Sequence, residues 1–357
     1  MNFFKDLKVV ELANVLAGPA VGMFFAELGA EVVKIENKRT DGDITRRWKL
    51  PSEDPKDPYS AYYCSANWGK KVLLRDLSQE QELLEVLQLI DEADIVISNF
   101  KDQSAIRLGL DYESLKKRNP RLIYGTLSGM GEDNIPAFDV VLQAEAGFLY
   151  MTGQPGGPPA KMPVALIDLL AAHQLKEGIL LALMQREKTG KGTLVQTSLL
   201  EAALASLANQ ATNWLMAGHV PGPMGTQHPN IAPYGDTFIC RDKKAIVLAV
   251  GTERQFQNLL QVLNLDELRE DERFSRNSER VRHRQELNEV LEEKIRTFTR
   301  PDLLEKFQQQ GVPAGSIRHM KEVFELPTAR AMILDEVLPN GKVSQRLRTV
   351  AFQLGDK

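Results

Sequence analysis

An α/β fold with a parallel sheet in its larger part is predicted by three features of the sequence. From Lys8 to Ser198, short apolar runs alternate with longer amphipathic stretches, the rhythm of strands joined by crossover helices. The opening strand, helix and strand form a βαβ unit, which implies parallel strands and a ligand crevice at their carboxyl ends. A Gly/Pro cluster, "HVPGPMGTQHPNIAPYG" (219–235), then separates this region from one richer in charged helices, where a domain boundary is expected. A chain of 357 residues is long enough for two domains.

The elements follow in order. "LKVVEL" (7–12) reads as a buried strand, "ANVLAGPAVGMFFAELG" (13–29) as a turn and a helix ending at Gly29, and "AEVVKIE" (30–36) as the second strand. The polar stretch from Asn37 to Trp68 breaks the rhythm; at that length it is expected to lie over something. "KKVLLRDL" is the next strand, "SQEQELLEVLQLIDEA" a helix and "DIVISNF" a strand. Short helices in "SAIRLGL" and "YESLKKRN" precede the strand "RLIYGTLSGMG" and a helix from Phe138 to about Met151. After the loop "TGQPGGPPAKMP", a strand "VALI" (164–167) and a helix from Leu169 to about Lys188 are expected, closed by "TGKG". There Gly190 is a helix C-terminal glycine, not part of a phosphate loop. The strand "TLVQTS" leads through a capping box, Ser198 with Glu201, into one long helix over 199–218. Strands "TFIC" and "AIVLAV" belong to a smaller α/β module.

Composition bounds the chemistry. The chain is 43% hydrophobic and 26% charged with a net charge of −4, so no global field favours a polyanion. Cys64 and Cys240 stand far apart in sequence, which argues against a disulfide framework and a structural zinc site. The His residues form no ligand spacing, so no metal site is expected. The first residues lack a signal-peptide pattern and no apolar run is long enough to span a bilayer, making the cytoplasm the expected location. The charged run from Asp266 to Lys294 interleaves acids with bases and reads as a solvated helical surface.

One acid stands out. Asp168 ends the apolar run "PVALID", with no Arg or Lys between Met162 and Gln174. As the N-cap of the following helix it needs no function and contributes about 1 kcal/mol. At the carboxyl end of a parallel strand, beside the N–H groups of a helix start, the same carboxylate can attack an activated acyl group. Residue type and position leave both readings open.

The segments "LKVVELANVLAGPAVGMFFAELGAEVVKIE", "ADIVISNFKDQSAIRLGLDYESLKKRNPRLIYGTLSGMGE", "FDVVLQAEAGFL", "VALIDLLAAHQLKEGILLALMQREKTGKGTLVQTSLLEAALA", "HPNIAPYGDTF" and "GVPAGS" together resemble the class III coenzyme A transferases, the carnitine/bile-acid CoA transferase family. The resemblance runs over nearly the whole chain. It implies a Rossmann-like large domain whose parallel sheet is built from both chain ends, a smaller α/β domain, and an interlocked homodimer. The expected boundaries are 1–220 for the large domain, 221–315 for the small one, and 316–357 for the return to the large domain.

The resemblance also implies roles. Asp168 corresponds to the family's nucleophile, which takes the acyl group of a thioester as a mixed anhydride on the way to a free carboxylic acid. Coenzyme A, a substrate and not a resident cofactor, would lie against Val15, Leu16 and Ala17 of "NVLAG", and against Asn37, Lys38 and Arg39. Leu74, Arg75, Asn99, Phe100, Lys101, Arg107 and Phe138 would complete its surroundings. Arginine suits this task because its planar fork matches phosphate oxygens. The segment 37–68 and the smaller domain would cover the site and keep water from the anhydride. No nucleic acid or membrane partner is implied.

Departures from the pattern limit the substrate. Formyl-CoA transferases carry Gln where this chain has Leu16, Arg where it has Asn37, and a glycine run where it has "LAVGTER", which disfavours formyl and oxalyl groups and leans towards a larger or less charged acyl chain. An α-methylacyl-CoA racemase would need a histidine at Phe138, and a phenyl ring cannot carry a proton. An NAD-dependent oxidoreductase fits the first βαβ unit and Glu36, but "ANVLAGPAVG" lacks the G-x-G-x-x-G pattern. A non-catalytic CoA-binding protein is the remaining alternative.

Overall fold

The computed structural model describes residues 2–131, 135 and 137–353; the end of the "SGMGE" segment at Glu132 and residues 354–357 lie outside them. The chain divides into two compact units. One takes residues 1–148, 161–220 and 328–357, and the other 149–160 and 221–327. No helix among the described residues is long and apolar enough to cross a membrane.

The first unit holds six strands, β1 (Lys8–Leu12), β2 (Glu31–Asn37), β3 (Lys71–Arg75), β4 (Ile95–Ser98), β5 (Ile123–Ser128) and β6 (Leu194–Ser198). They form one sheet in the order β3-β2-β1-β4-β5-β6, and every pairing is parallel. The order reverses between β1 and β4, the switch point where open parallel sheets bind ligands. β1, β2, β4 and β5 are almost wholly buried because helices cover both faces, as parallel sheets require.

The helices of this unit are α1 (Ala17–Glu27), α2 (Ala61–Ala66), α3 (Glu80–Asp91), α4 (Asp102–Leu108), α5 (Tyr112–Arg118), α6 (Asp139–Glu145), α8 (Leu166–Thr189), α9 (Leu199–Ala205) and α10 (Ala208–Ala217), while α7 (Phe148–Met151) spans the division of the chain at residue 148. α1 and α8 pack with β1, β5, α6 and α9 in one core, which includes Phe25, Ile97, Ile167, Leu175 and Ile179. α3 and α5 pack on the other face around Val10, Ile35, Ile90 and Leu115.

Five sequence expectations need correction. "VALI" is not a strand: β5 and β6 pair directly, Tyr124 opposite Leu194, leaving no slot between them, and α8 starts at Leu166. The helix expected over 138–151 is two, separated at Gly147 with φ of 82°. The helix expected over 199–218 is also two, parted at Ser206 and Leu207. The parallel sheet does not draw on both chain ends. Residues beyond 328 join the first unit, but their strands β10 (Ile333–Val337) and β11 (Val343–Leu347) pair antiparallel with each other. The short turn at Asn340 and Gly341, with φ of 81° at the glycine, directs them into a hairpin. The capping box is half formed: the Ser198 hydroxyl accepts from the Glu201 amide at 3.0 Å and donates to the Glu201 carboxylate at 2.8 Å.

Under the site lies a buried ion cluster. Lys34 Nζ binds Glu11 Oε1 and Asp43 Oδ2, each at 3.0 Å, and the Ala13 carbonyl at 2.9 Å. Lys70 Nζ lies 2.8 Å from Glu11 Oε2 and donates to the Pro19 and Ala66 carbonyls. Burial pushes Lys70 down to about 8, whereas at Lys34 the charges of Glu11, Asp43 and Glu36 outweigh burial and hold its pKa above the usual lysine value. Gly22 makes room for the cluster, since a Cβ there would lie 1.9 Å from Glu11 Oε2.

The second unit carries β7 (Tyr234–Ile239), β8 (Ala245–Ala249) and β9 (Ala314–Ser316) in an antiparallel sheet of that order. The smaller module is therefore built on an antiparallel sheet. Helices α11 (Glu253–Leu263), α13 (Arg284–Ile295) and α14 (Arg300–Gln309) supply its core with Phe256, Leu260, Leu291 and Phe307, and α12 (Asn277–Arg282) precedes α13. The short helix α15 (Met320–Val323) follows, and α16 (Pro327–Ala331) begins at the last residue of this unit and continues into the first.

Candidate active site

The carboxyl ends of β1 and β4 diverge at the switch point, and two asparagines bridge the gap. The Asn14 amide donates to Asn99 Oδ1 at 3.1 Å, and Asn99 Nδ2 donates to the Asn14 carbonyl at 3.0 Å. Next to Asn14, Val15 has φ of 73°, a left-handed conformation that costs a β-branched residue more than most. Its amide is held by Asp43 Oδ2 at 3.1 Å, so the buried ion cluster sustains this turn. The turn directs Leu16 and the start of α1 towards a cavity of about 360 Å³.

Val15, Leu16, Ala17, Asn99, Phe100, Lys101, Phe138 and Asp168 all line that cavity. A second cavity of about 420 Å³ shares Asn14, Asn99, Phe100 and Lys101 with it and adds Asn37, Arg39, Arg75 and Arg107. The residues named from the sequence thus gather around two adjoining hollows. Two stand apart. Lys38 pairs with Glu82 at 2.9 Å and lines neither hollow, and Leu74 lines a separate cavity with Tyr59, Tyr63 and Leu338. Arg75 is partly committed to Glu85 at 2.9 Å.

Asp168 is not the helix cap. Ala165 is the N-cap residue of α8 and makes no side-chain cap bond, so Asp168 is the third helical residue. The cap is supplied by a different helix: Asp139, on α6, accepts the Ile167 amide at 2.7 Å. Asp168 is only 8% exposed yet lines the cavity. Burial first, and then the like charge of Asp139, raise its pKa to about 7. A carboxylic acid with that pKa is poised between protonated and ionised forms near neutrality, as groups that react tend to be. The Tyr62 phenol, on α2, is raised to about 12 by burial and then by the charge of Asp168. The segment 37–68 therefore reaches the surroundings of Asp168 through α2.

Several lining residues went unnamed in the sequence. Ser128, the last residue of β5, and Gly129 after it belong to the cavity wall with Leu127 and Leu199; the position of "TLSGMG" at a strand's carboxyl end was the signal that could have found them. Asp139 and Gln143 carry no local signal, because their role depends on a contact made across the fold.

The model of CoA-transferase family III matches residues 4–354. A succinate–glutarate CoA-transferase of Agrobacterium fabrum is 36% identical over 352 residues, covering 96% of this chain and 87% of that protein. A human succinyl-CoA:glutarate CoA-transferase is 32% identical, covering 97% and 77%. A CaiB/BaiF family protein from Brucella suis superposes with a TM-score of 0.85 at 39% identity, covering 98% of this chain and 92% of that one.

Proposed function

The chain belongs to CoA-transferase family III, and from that premise we propose that it moves coenzyme A from an acyl-CoA thioester to a free carboxylate through a covalent intermediate on Asp168. The observation that carries this reading is a buried carboxyl group in the wall of the switch-point cavity, beside a second hollow lined by Arg39, Arg75 and Arg107.

The chemistry runs as follows. A carboxylate oxygen of Asp168 attacks the thioester carbonyl, the C–S bond breaks, and CoA leaves as a thiolate from the mixed anhydride. The thiolate then attacks the Asp168 carbonyl, releasing the donor acid and leaving aspartyl-CoA. The acceptor carboxylate attacks that thioester, and the returning thiolate takes the acceptor's acyl group, freeing Asp168. A carboxylate is a weak nucleophile and an anhydride is high in energy. Contacts with the distant nucleotide help offset that cost where they strengthen in the transition state.

In this reading the arginines of the second hollow take the phosphates of CoA. Arg107→Ala is expected to raise KM for the thioester about tenfold, the worth of one charge-assisted contact, while kcat changes little. An unchanged KM would move the nucleotide elsewhere. The relatives' names make succinyl-CoA as donor and glutarate as acceptor the first pair to try, within a matrix of thioesters against free acids read by mass spectrometry. No exchange with any pair would count against the reading.

A homodimer, interlocked as the resemblance implies, belongs to the same proposal. Trp214, Leu215 and Met216 on α10 are 56%, 75% and 83% exposed, a cluster of large apolar groups that favours a covering partner. Light scattering at micromolar protein should give twice the chain mass; a stable monomer would contradict the dimer.

A further inference from the structure

The start of α8 is held by two side chains of one neighbouring helix. Asp139 Oδ1 accepts the Ile167 amide at 2.7 Å, and Asp139 Oδ2 accepts from Gln143 Nε2 at 2.6 Å. Gln143 Oε1 in turn accepts the Met162 amide at 2.9 Å. Asp139 and Gln143 are four residues apart on α6, so they share a face, and they are 9% and 1% exposed. Between them they fix both ends of the stretch 162–167 that leads directly into Asp168. An N–H of a helix's first turn has no partner within its own helix, and Ala165 offers no side-chain cap. A neutral acceptor could satisfy that N–H. A carboxylate also brings a second negative charge beside the nucleophile.

We propose that Asp139, held by Gln143, is a positioning residue for Asp168: it anchors the first turn of α8 and places a second carboxylate near the nucleophile. The proposal rests on the reading of Asp168 as nucleophile. The groups facing Asp168 are Asp139 from α6, the Tyr62 phenol from α2 and, in the same cavity wall, Lys101 after β4. α1 and α9 contribute the uncharged Ala17 and Leu199 to that wall. Of these groups, Asp139 is the one whose charge raises the pKa of Asp168. Two carboxylates in one site resist ionising together, so the charge of Asp139 delays the appearance of the attacking form as pH rises.

The test compares pH profiles of kcat/KM for wild type, Asp139→Asn and Asp139→Ala, with succinyl-CoA and glutarate, or whichever pair the exchange matrix identifies. Asn keeps an oxygen for the Ile167 amide but loses the charge. Its acid limb should fall by roughly one pH unit relative to wild type. Ala loses the anchor as well, and its plateau kcat should drop about tenfold, the effect of a slightly misplaced nucleophile, with KM for the thioester changing less than twofold. A purely structural role would not move the limb. An unmoved limb in Asp139→Asn, or a wild-type plateau in Asp139→Ala, would overturn the proposal, and if the Ala variant does not fold the Asn variant decides. Exchange retained by Asp168→Ala would overturn the nucleophile reading itself. An inactive Asp168→Ala with an unmoved Asp139→Asn limb would overturn only the positioning role.

Discussion

Asp168→Ala and Asp168→Asn lose acyl exchange by at least about a thousandfold, the scale on which removal of a covalent nucleophile acts, while CoA still binds. Binding survives because the second hollow, with Arg39 after β2 and Arg107 on α4, does not include Asp168. The same substitution should have the opposite effect on the fold. The folded chain binds the Asp168 proton more tightly than the unfolded chain does, since the pKa rises from 3.8 to about 7. Stability present at low pH is therefore lost as pH rises from about 4 to about 7. The shift corresponds to at most roughly 4 kcal/mol. Asp168→Asn removes the ionisation, so it should melt higher than wild type at about pH 8 and show no such advantage at about pH 4. Scanning calorimetry at the two pH values checks the sign. Equal stability at pH 8 would mean that the carboxylate is not buried at any cost.

Lys34→Met is expected to destabilise the chain by about 3–5 kcal/mol, the usual effect of removing one partner from a buried ion cluster. Lys34 and Glu11 are fully buried, and the lysine is the shared partner of Glu11 and Asp43. Methionine fills most of the volume but leaves two carboxylates facing each other with one cation, Lys70, on Glu11 alone. The damage reaches the site, because Asp43 also holds the left-handed Val15. Once Lys34 no longer fixes Asp43, the strained turn relaxes and Leu16 leaves the cavity wall. Urea unfolding reads the stability, and KM for the thioester should rise in the protein that remains folded. A midpoint within experimental error of wild type would contradict the account of the cluster.

The parallel strands were legible in the sequence because burial on both faces writes them as unbroken apolar runs, as in "IVIS" and "VVKIE". Their order was not, since strand neighbours depend on crossovers that periodicity does not encode. "VALI" misled for the same reason: four apolar residues read alike as buried strand or helix start, and the contact that decides between them, Asp139 with Ile167, spans 28 residues. Asp168 stood out as a lone acid in an apolar run, but local signals left helix cap and nucleophile both open. The long-range partner that takes the cap's place adds its charge to the burial that raises the acid's pKa. Lys34 and Lys70 gave no sign of burial, because a lysine in a strand or before one usually points to water.

The central claim is tested most directly by trapping the intermediate. The wild-type protein is mixed with a single equivalent of succinyl-CoA, or of the donor thioester the exchange matrix identifies, in the presence of hydroxylamine, digested and read by mass spectrometry. The account predicts an aspartyl hydroxamate on the peptide bearing residue 168, absent from Asp168→Asn. A hydroxamate on another carboxylate, or release of CoA with no label on residue 168, would contradict it.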